Sequence, residues 1–170
     1  MPIRDILVDM DGVLAGFDQA VSQQAGVPIG TLSRKEIRQF SSKPGFFANL
    51  PMMWDAPLLW KYLHVHTECN IYICSATGDS EPERVFREKN IWLDFFTYPY
   101  NPARRLFVHK SEDKRLFASP DALLIDDRTK AMDPFLAKGG RGILHTGARS
   151  TILELQEILF VANKQYPRRV

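Results

Sequence analysis

Cysteine is scarce in this chain. Cys69 and Cys74 are the only two, too few for a disulfide framework, and neither lies in a metal-type Cys-x-x-Cys. Cys74 follows Ile71-Tyr72-Ile73, so it reads as a small buried hydrophobe, and a reducing cytoplasm is the expected location. Long hydrophobic runs are also missing. No segment approaches the roughly 20 apolar residues of a membrane span, and Met1-Pro2-Ile3-Arg4-Asp5 lacks the apolar core of a secretory signal, so no membrane association is expected. There is little charge of either sign to spare. Lys and Arg number 22 against 20 Asp and Glu, a net charge of +2, and the field of the whole molecule says little about partners. Basic residues gather only locally, at Arg34, Lys35, Arg38 and Lys43 and in the pairs Arg104-Arg105 and Arg168-Arg169, each of which reads as a solvated face. Internal repeats, low-complexity tracts and long linkers are absent.

What is present is an ordinary globular composition, 45% hydrophobic and 25% charged over 170 residues. That suits one domain, 1–170, with a substantial core. Five apolar runs read as strands, at about 5–9, 70–75, 105–109, 122–126 and 142–145. They alternate with helical patterns, which predicts an α/β fold: a parallel five-stranded sheet, Rossmann-like, with right-handed crossovers and helices on both faces. Ser80-Glu81-Pro82-Glu83 reads as a capping box opening a helix to about Lys89, with Pro82 in its first turn. Ala131 to Lys138 reads as another, stopped by Gly139-Gly140, and Ser150 as the cap of a last helix carrying Ile152, Leu155, Ile158 and Leu159. The segment 17–60 has no strand signal. It holds a capping box, Ser33 to Glu36, and a stretch rich in aromatics and sulfur, Phe46-Phe47 and Pro51-Met52-Met53-Trp54. It predicts a small helical insert above the first strand, with most of those aromatics packing the core.

The chemistry sits where strands end. Ile6-Leu7-Val8 runs into Asp9-Met10-Asp11-Gly12, two carboxylates at the carboxyl end of a strand that should be buried. Ligands of open α/β sheets bind there, and carboxylates leaving water need a partner. A bound cation is the usual one, and Gly12 lets the chain turn away. Leu123-Leu124-Ile125 runs likewise into Asp126-Asp127-Arg128, and Ile71-Tyr72-Ile73-Cys74 into Ser75-Ala76-Thr77-Gly78. Taken alone, each has a plainer reading: an Asp-Gly turn, an Asp-Asp helix cap, a serine in a loop.

In this order, these strand ends resemble the motifs of the haloacid dehalogenase superfamily, and the resemblance covers essentially the whole chain. It implies a phosphatase acting through an aspartyl-phosphate, with Asp9 as nucleophile, Asp11 as general acid and base, and Mg2+ held by Asp9 and Asp11 together with Asp127 and its neighbour Asp126, the former favoured as ligand. It implies phosphate contacts from the Ser75 hydroxyl (Thr77 if the strand runs longer) and from backbone N–H groups beside it at Ala76. It also implies a lysine shortly before strand four. Lys110 and Lys114 both qualify, and Lys114 is better placed ahead of the turn into that strand. The insert 17–60 would be a cap over the site.

Asp9-Met10-Asp11-Gly12-Val13-Leu14-Ala15-Gly16-Phe17, Phe46-Phe47-Ala48-Asn49-Leu50-Pro51 and Leu123-Leu124-Ile125-Asp126-Asp127-Arg128 are similar to the 5'(3')-deoxyribonucleotidase branch. This implies a nucleoside monophosphate as the small phosphorylated substrate, Phe17 against its base or sugar, and Arg128 beside the phosphate. The chain departs from that branch in a shorter insert, in lacking its Phe-Trp pair, and in Ser75-Ala76 where the branch has Thr-Ser. Ile125-Asp126-Asp127-Arg128-Thr129 also resembles the phosphatase half of phage polynucleotide kinase-phosphatases, which implies a nucleic-acid 3' end as the alternative substrate, with the basic residues from Arg34 to Lys43 neutralising phosphates. A non-catalytic phosphate-binding module is a third reading, against which both Asp9 and Asp11 are present. Nothing in the sequence points to an oligomeric state.

Overall fold

The structure is a computed structural model that describes residues 2–96 and 102–165; the Arg168-Arg169 pair lies outside them. Five strands form one parallel sheet in the order β3-β2-β1-β4-β5: β1 (Asp5–Val8), β2 (Asn70–Ala76), β3 (Arg105–Val108), β4 (Ala122–Asp126) and β5 (Arg141–Leu144). All five expected strands form, within a residue or two of their expected ends. The central strand β1 pairs with β2 through Ile6↔Ile71 and Val8↔Ile73 and with β4 through Ile6↔Leu123 and Val8↔Ile125. The chain leaves β1 toward β2 and β3, then returns to β4 and β5. The strand order therefore reverses between β1 and β4, and open α/β sheets form their ligand crevice at the carboxyl ends beside such a point.

Strand side chains alternate between faces, and both faces are covered. On one, Ile6, Val8, Ile71, Ile73, Leu123, Ile125 and Ile143 pack with Leu59, Leu63, Val85, Trp92, Leu93 and Leu155, drawn from α3 (Ala56–His66), α4 (Pro82–Phe96) and α6 (Ala148–Gln165). On the other, Leu7, Cys74 and Leu124 meet Ala131, Met132 and Phe135 of α5 (Thr129–Ala137). Cys74 is a buried free thiol whose pKa burial pushes up to about 12, in keeping with its reading as a small hydrophobe. Each of these fully buried aliphatic side chains contributes about 1.5–3 kcal/mol.

Three helix starts and one helix end differ from expectation. α5 opens at Thr129, two residues before Ala131. α4 opens at Pro82, but Ser80 does not set up a capping box: Glu81 takes a left-handed backbone, φ 50°, and its carboxylate pairs with Arg84. The helix also continues past Lys89 to Phe96, because Trp92 and Leu93 extend its buried stripe. α6 begins at Ala148 rather than after Ser150. Its cap comes from far away: the Ala148 N–H donates to Asp55 Oδ2 at 2.7 Å, a partner that no local pattern announces.

In the segment after β1, α1 (Phe17–Ala25) ends at Gly26, φ 71°. α2 (Arg34–Ser41) opens on the expected capping box, Ser33 with Glu36. α3 starts at Ala56 and packs against α6, so the end of the 17–60 segment belongs to the layer covering the sheet. Phe46 and Phe47 are buried and enclose the Phe17 ring, edge-on at 5.5 Å and stacked at 6.1 Å respectively. No helix among the described residues is long and apolar enough to cross a membrane.

Candidate active site

β1 and β4 straddle the reversal of strand order, so Asp9 and the Asp126-Asp127 pair emerge side by side. One carboxylate oxygen from each lies within 4.8 Å of the others. Gly12 makes the approach feasible: its φ is 83°, and a Cβ there would stand 2.1 Å from Asp127 Oδ2. The turn is tied by the Met10 carbonyl, which accepts from the N–H groups of Val13, Leu14 and Ala15.

Two buried lysines organise these acids. Lys114, 1% exposed, donates to Asp9 Oδ1 at 2.8 Å and to Asp126 Oδ2 at 2.6 Å. Asp9 Oδ1 also accepts the Met10 N–H at 2.7 Å, and Asp126 Oδ1 accepts the Arg128 N–H at 3.0 Å. Lys89, also 1% exposed, donates to Asp11 Oδ2 at 2.6 Å, to Ser75 Oγ at 2.9 Å and to the Ala76 carbonyl at 2.7 Å. Asp9 and Asp11 are thus each held by a lysine of their own.

The charge balance shifts the acids. Burial raises the Asp11 carboxyl above the ordinary range, against the pull of Lys89. Burial, with Asp9 and Asp126 adding to it, pushes Asp127 up to about 7. Burial and then Asp9 push Asp126 up to about 6. Lys114 is held well above its usual value, because Asp9 and Asp126 outweigh the cost of burying it. Asp127 Oδ1 and Asp11 Oδ1 are buried with no hydrogen-bond partner. An unpartnered buried carboxylate oxygen is costly, and the Asp127 carboxylate stands beside two others. This oxygen-only, orphaned donor set fits a hard cation such as Mg2+.

The expected site residues fall out as follows. Asp9, Asp11, Ser75, Asp126, Asp127 and Lys114 converge. Of the two candidate lysines, Lys114 reaches the acids, whereas Lys110 is exposed, with its backbone N–H and carbonyl both engaged by Asp113. Thr77 bonds the Val108 carbonyl, away from Ser75. Asp126 has both oxygens hydrogen-bonded, while Asp127 Oδ1 has no partner. The Asp11 carboxylate stands apart from the cation-competent cluster, because Lys89 claims it. Ala76 presents its carbonyl to Lys89. Arg128 is exposed, and its charge lowers Asp127. Phe17 packs partly against the core and partly lines a cavity of about 480 Å³ with Gly12, Asp127, Met52, Met53 and Trp54. The strip that brings those residues over the site is pinned by Met53 N–H to the Leu14 carbonyl and Gly16 N–H to the Pro51 carbonyl.

Lys89 is the residue that reading the sequence missed. A signal for it existed. In α4 the buried positions are Val85, Glu88, Lys89, Trp92 and Leu93, an i, i+3, i+4, i+7, i+8 stripe in which two charged residues occupy core slots.

The same architecture occurs in solved structures. A haloacid dehalogenase superfamily hydrolase, subfamily IA, from Geobacter sulfurreducens is 14% identical over 90% of this chain and 96% of its own, with a TM-score of 0.57. The fold is haloacid dehalogenase-like. A protein from Clostridium acetobutylicum described as a predicted phosphatase matches at 14% identity over 87% of both chains, TM-score 0.55. A haloacid dehalogenase-type hydrolase from Bacillus subtilis, solved bound to magnesium, matches at 13% identity over 94% of this chain and 99% of its own, TM-score 0.51. No family model and no curated protein sequence matches the chain.

Proposed function

We propose that this protein is a Mg2+-dependent phosphomonoesterase that works through an aspartyl-phosphate on Asp9. The observation that carries the reading is the paired anchoring of Asp9 and Asp11. Each is gripped through one oxygen by a buried lysine, Lys114 at 2.8 Å and Lys89 at 2.6 Å, which leaves Asp9 Oδ2 and Asp11 Oδ1 for chemistry. In the first step Asp9 Oδ2 attacks phosphorus while Asp11 protonates the leaving alkoxide. Its raised pKa suits an acid that must hold its proton at neutral pH. In the second step Asp11 takes a proton from the water that hydrolyses the aspartyl-phosphate, so one hard displacement becomes two easier ones. Lys114 and Lys89 supply fixed positive charge against the phosphoryl oxygens, and Ser75 and the backbone beside Ala76 line the wall on which they rest. Asp9, Asp127 and the adjacent Asp126 would hold Mg2+, which when bound neutralises the cluster and draws charge from the phosphoryl group. The magnesium-bound Bacillus relative supports that choice of ion.

A nucleoside monophosphate is the substrate class that the cavity favours. Its walls, Phe17, Met52, Met53 and Trp54, suit a flat uncharged group, and the charged side chains among its described lining residues are the acids Asp18 and Asp127. A nucleic-acid 3' end would bring a further phosphate toward Asp18, the lining acid outside the metal cluster, and be repelled. The exposed Arg34, Lys35 and Arg38 of α2 support the strand-end alternative. Phosphate release from a deoxynucleoside monophosphate and from a 3'-phosphorylated oligonucleotide, each with Mg2+ and with a chelator, tests both. Faster Mg2+-dependent release from the monophosphate is expected. Preference for the oligonucleotide would reverse the substrate assignment, and release from neither would remove the phosphatase reading.

A further inference from the structure

Glu88 is the second charged residue in a core slot of α4, and the chemistry above does not use it. Its side chain is buried, and both oxygens are engaged across a gap of over forty residues. Oε1 accepts the Gly45 N–H at 2.8 Å and Oε2 accepts the Phe47 N–H at 3.0 Å. Arg84, one turn earlier, donates to Glu88 Oε1 at 3.0 Å and also to the carbonyls of Lys43 and Ser41. Burial alone would raise the Glu88 carboxyl, but the N–H groups of Gly45 and Phe47 and the Arg84 guanidinium together hold it below its ordinary value. A carboxylate satisfied in this way acts as a clamp on the loop from α2 to Leu50.

The clamped loop carries Phe47. Its ring stacks on Phe17 at 6.1 Å, and Phe17 forms a wall of the cavity next to Gly12 and Asp127. The Lys89 ammonium also lies over the Phe47 ring, 5.1 Å from its centre. We propose that Glu88 is a positioning residue for leaving-group recognition: by fixing the 45–47 backbone it holds Phe47 behind Phe17 and so sets the shape of the cavity wall. Adjacent residues of one helix then divide the labour, Lys89 holding Asp11 and Glu88 holding the wall the leaving group meets. The kinetic consequence rests on the phosphomonoesterase reading; the geometric one does not.

Glu88→Gln keeps the shape and removes the second strong acceptor, and Phe47→Leu removes the ring behind Phe17. Both variants and their combination are compared with the wild type in two measurements. In hydrogen exchange, Glu88→Gln should speed exchange in residues 41–50 and also in 15–20, where Phe17 sits, while β4 stays protected. Loosening confined to 41–50 would overturn the coupling to Phe17. In kinetics, Glu88→Gln should raise KM for a deoxynucleoside monophosphate about tenfold, the worth of one lost hydrogen bond to a charged group. KM and kcat for methyl phosphate, which cannot reach Phe17, should stay within about twofold, since changes in uniform binding appear in KM alone. Because both residues act through one contact, the double variant should be no worse than the poorer single one. Equal losses on both esters, or additive losses, would make Glu88 a scaffold residue and overturn the proposal. If the wild type hydrolyses neither ester, the phosphomonoesterase reading falls, and the exchange pattern alone decides the role of Glu88.

Discussion

Lys89 Nζ lies 2.6 Å from Asp11 Oδ2, although 78 positions separate them in the chain. The contact joins the crossover helix α4 to the turn after β1, and it places the lysine side chain beside the carboxyl proposed as general acid and base. Burial and Lys89 pull the Asp11 carboxyl in opposite directions, and burial prevails.

Lys89→Met should therefore move the pH profile as well as the rate. Without the ammonium, Asp11 keeps its burial and loses its main counter-charge, so its pKa rises further. The fall of kcat/KM at high pH, where Asp11 loses its proton, should shift to higher pH. Loss of a charge-stabilising donor should also cost about 10²–10³-fold in kcat. A pH–rate series on both proteins checks this; an unmoved alkaline limb would show that Asp11 is not the titrating acid.

Asp9→Asn should leave a folded protein, because the side chain keeps its volume and Lys114 keeps Asp126 at 2.6 Å. Turnover should fall by at least ~1,000-fold, as for other covalent nucleophiles. Circular dichroism and phosphate release measure the two effects. Near-normal turnover refutes the covalent route.

Gly12→Ala should damage the acidic cluster specifically. A Cβ would meet Asp127 Oδ2 at 2.1 Å, and the backbone sits at φ 83°, where a side chain costs of order 1–3 kcal/mol. The expected result is a lower melting temperature together with weaker activation by Mg2+. Titrating activity against Mg2+ reads the second effect, and an unchanged Mg2+ requirement would separate Asp127 from the metal.

Stability should depend on pH and Mg2+ together. Asp127 has its carboxyl raised from 3.8 to about 7, so between those values the folded state binds more protons than the unfolded state. The sign follows from linkage: stability is highest below the unfolded value and declines as pH rises toward 7. In chelator, the melting temperature should be higher at pH 5 than at pH 8 by the part this group contributes. Mg2+ binds the folded state and should raise the midpoint most at pH 8, where the carboxylates are charged. Thermal melts at both pH values with and without Mg2+ test this; midpoints that ignore Mg2+ at pH 8 would remove the metal assignment.

Phe17→Ala should raise KM for nucleoside monophosphates and leave KM for methyl phosphate unchanged. Phe17 is only partly buried while it lines the cavity, so the stability loss should fall below the roughly 3–5 kcal/mol of a fully buried phenylalanine. A full-sized loss with equal effects on both esters would return Phe17 to the core.

The sequence by itself determined where the strands end and that acids stand there. An apolar run broken by Asp9 and Asp11, or by Asp126 and Asp127, is a local departure from a buried pattern, and local patterns survive in one dimension. The capping box at Ser33 and the stop at Gly139 were legible for the same reason. Only the tertiary structure decided which partners those groups meet. A linear reading prefers Lys114 to Lys110 only by its place ahead of strand four; the turn Ser111–Phe117 buries Lys114 between Asp9 and Asp126 and leaves Lys110 exposed. Asp55 caps α6, and Lys89 and Glu88 grip Asp11 and the Phe47 loop, across separations set by the strand order and by the rotation of each helix about its axis. Those pairings are fixed by how the layers pack, and a charged residue in a core slot of a helix shows only that some partner must exist, not which one.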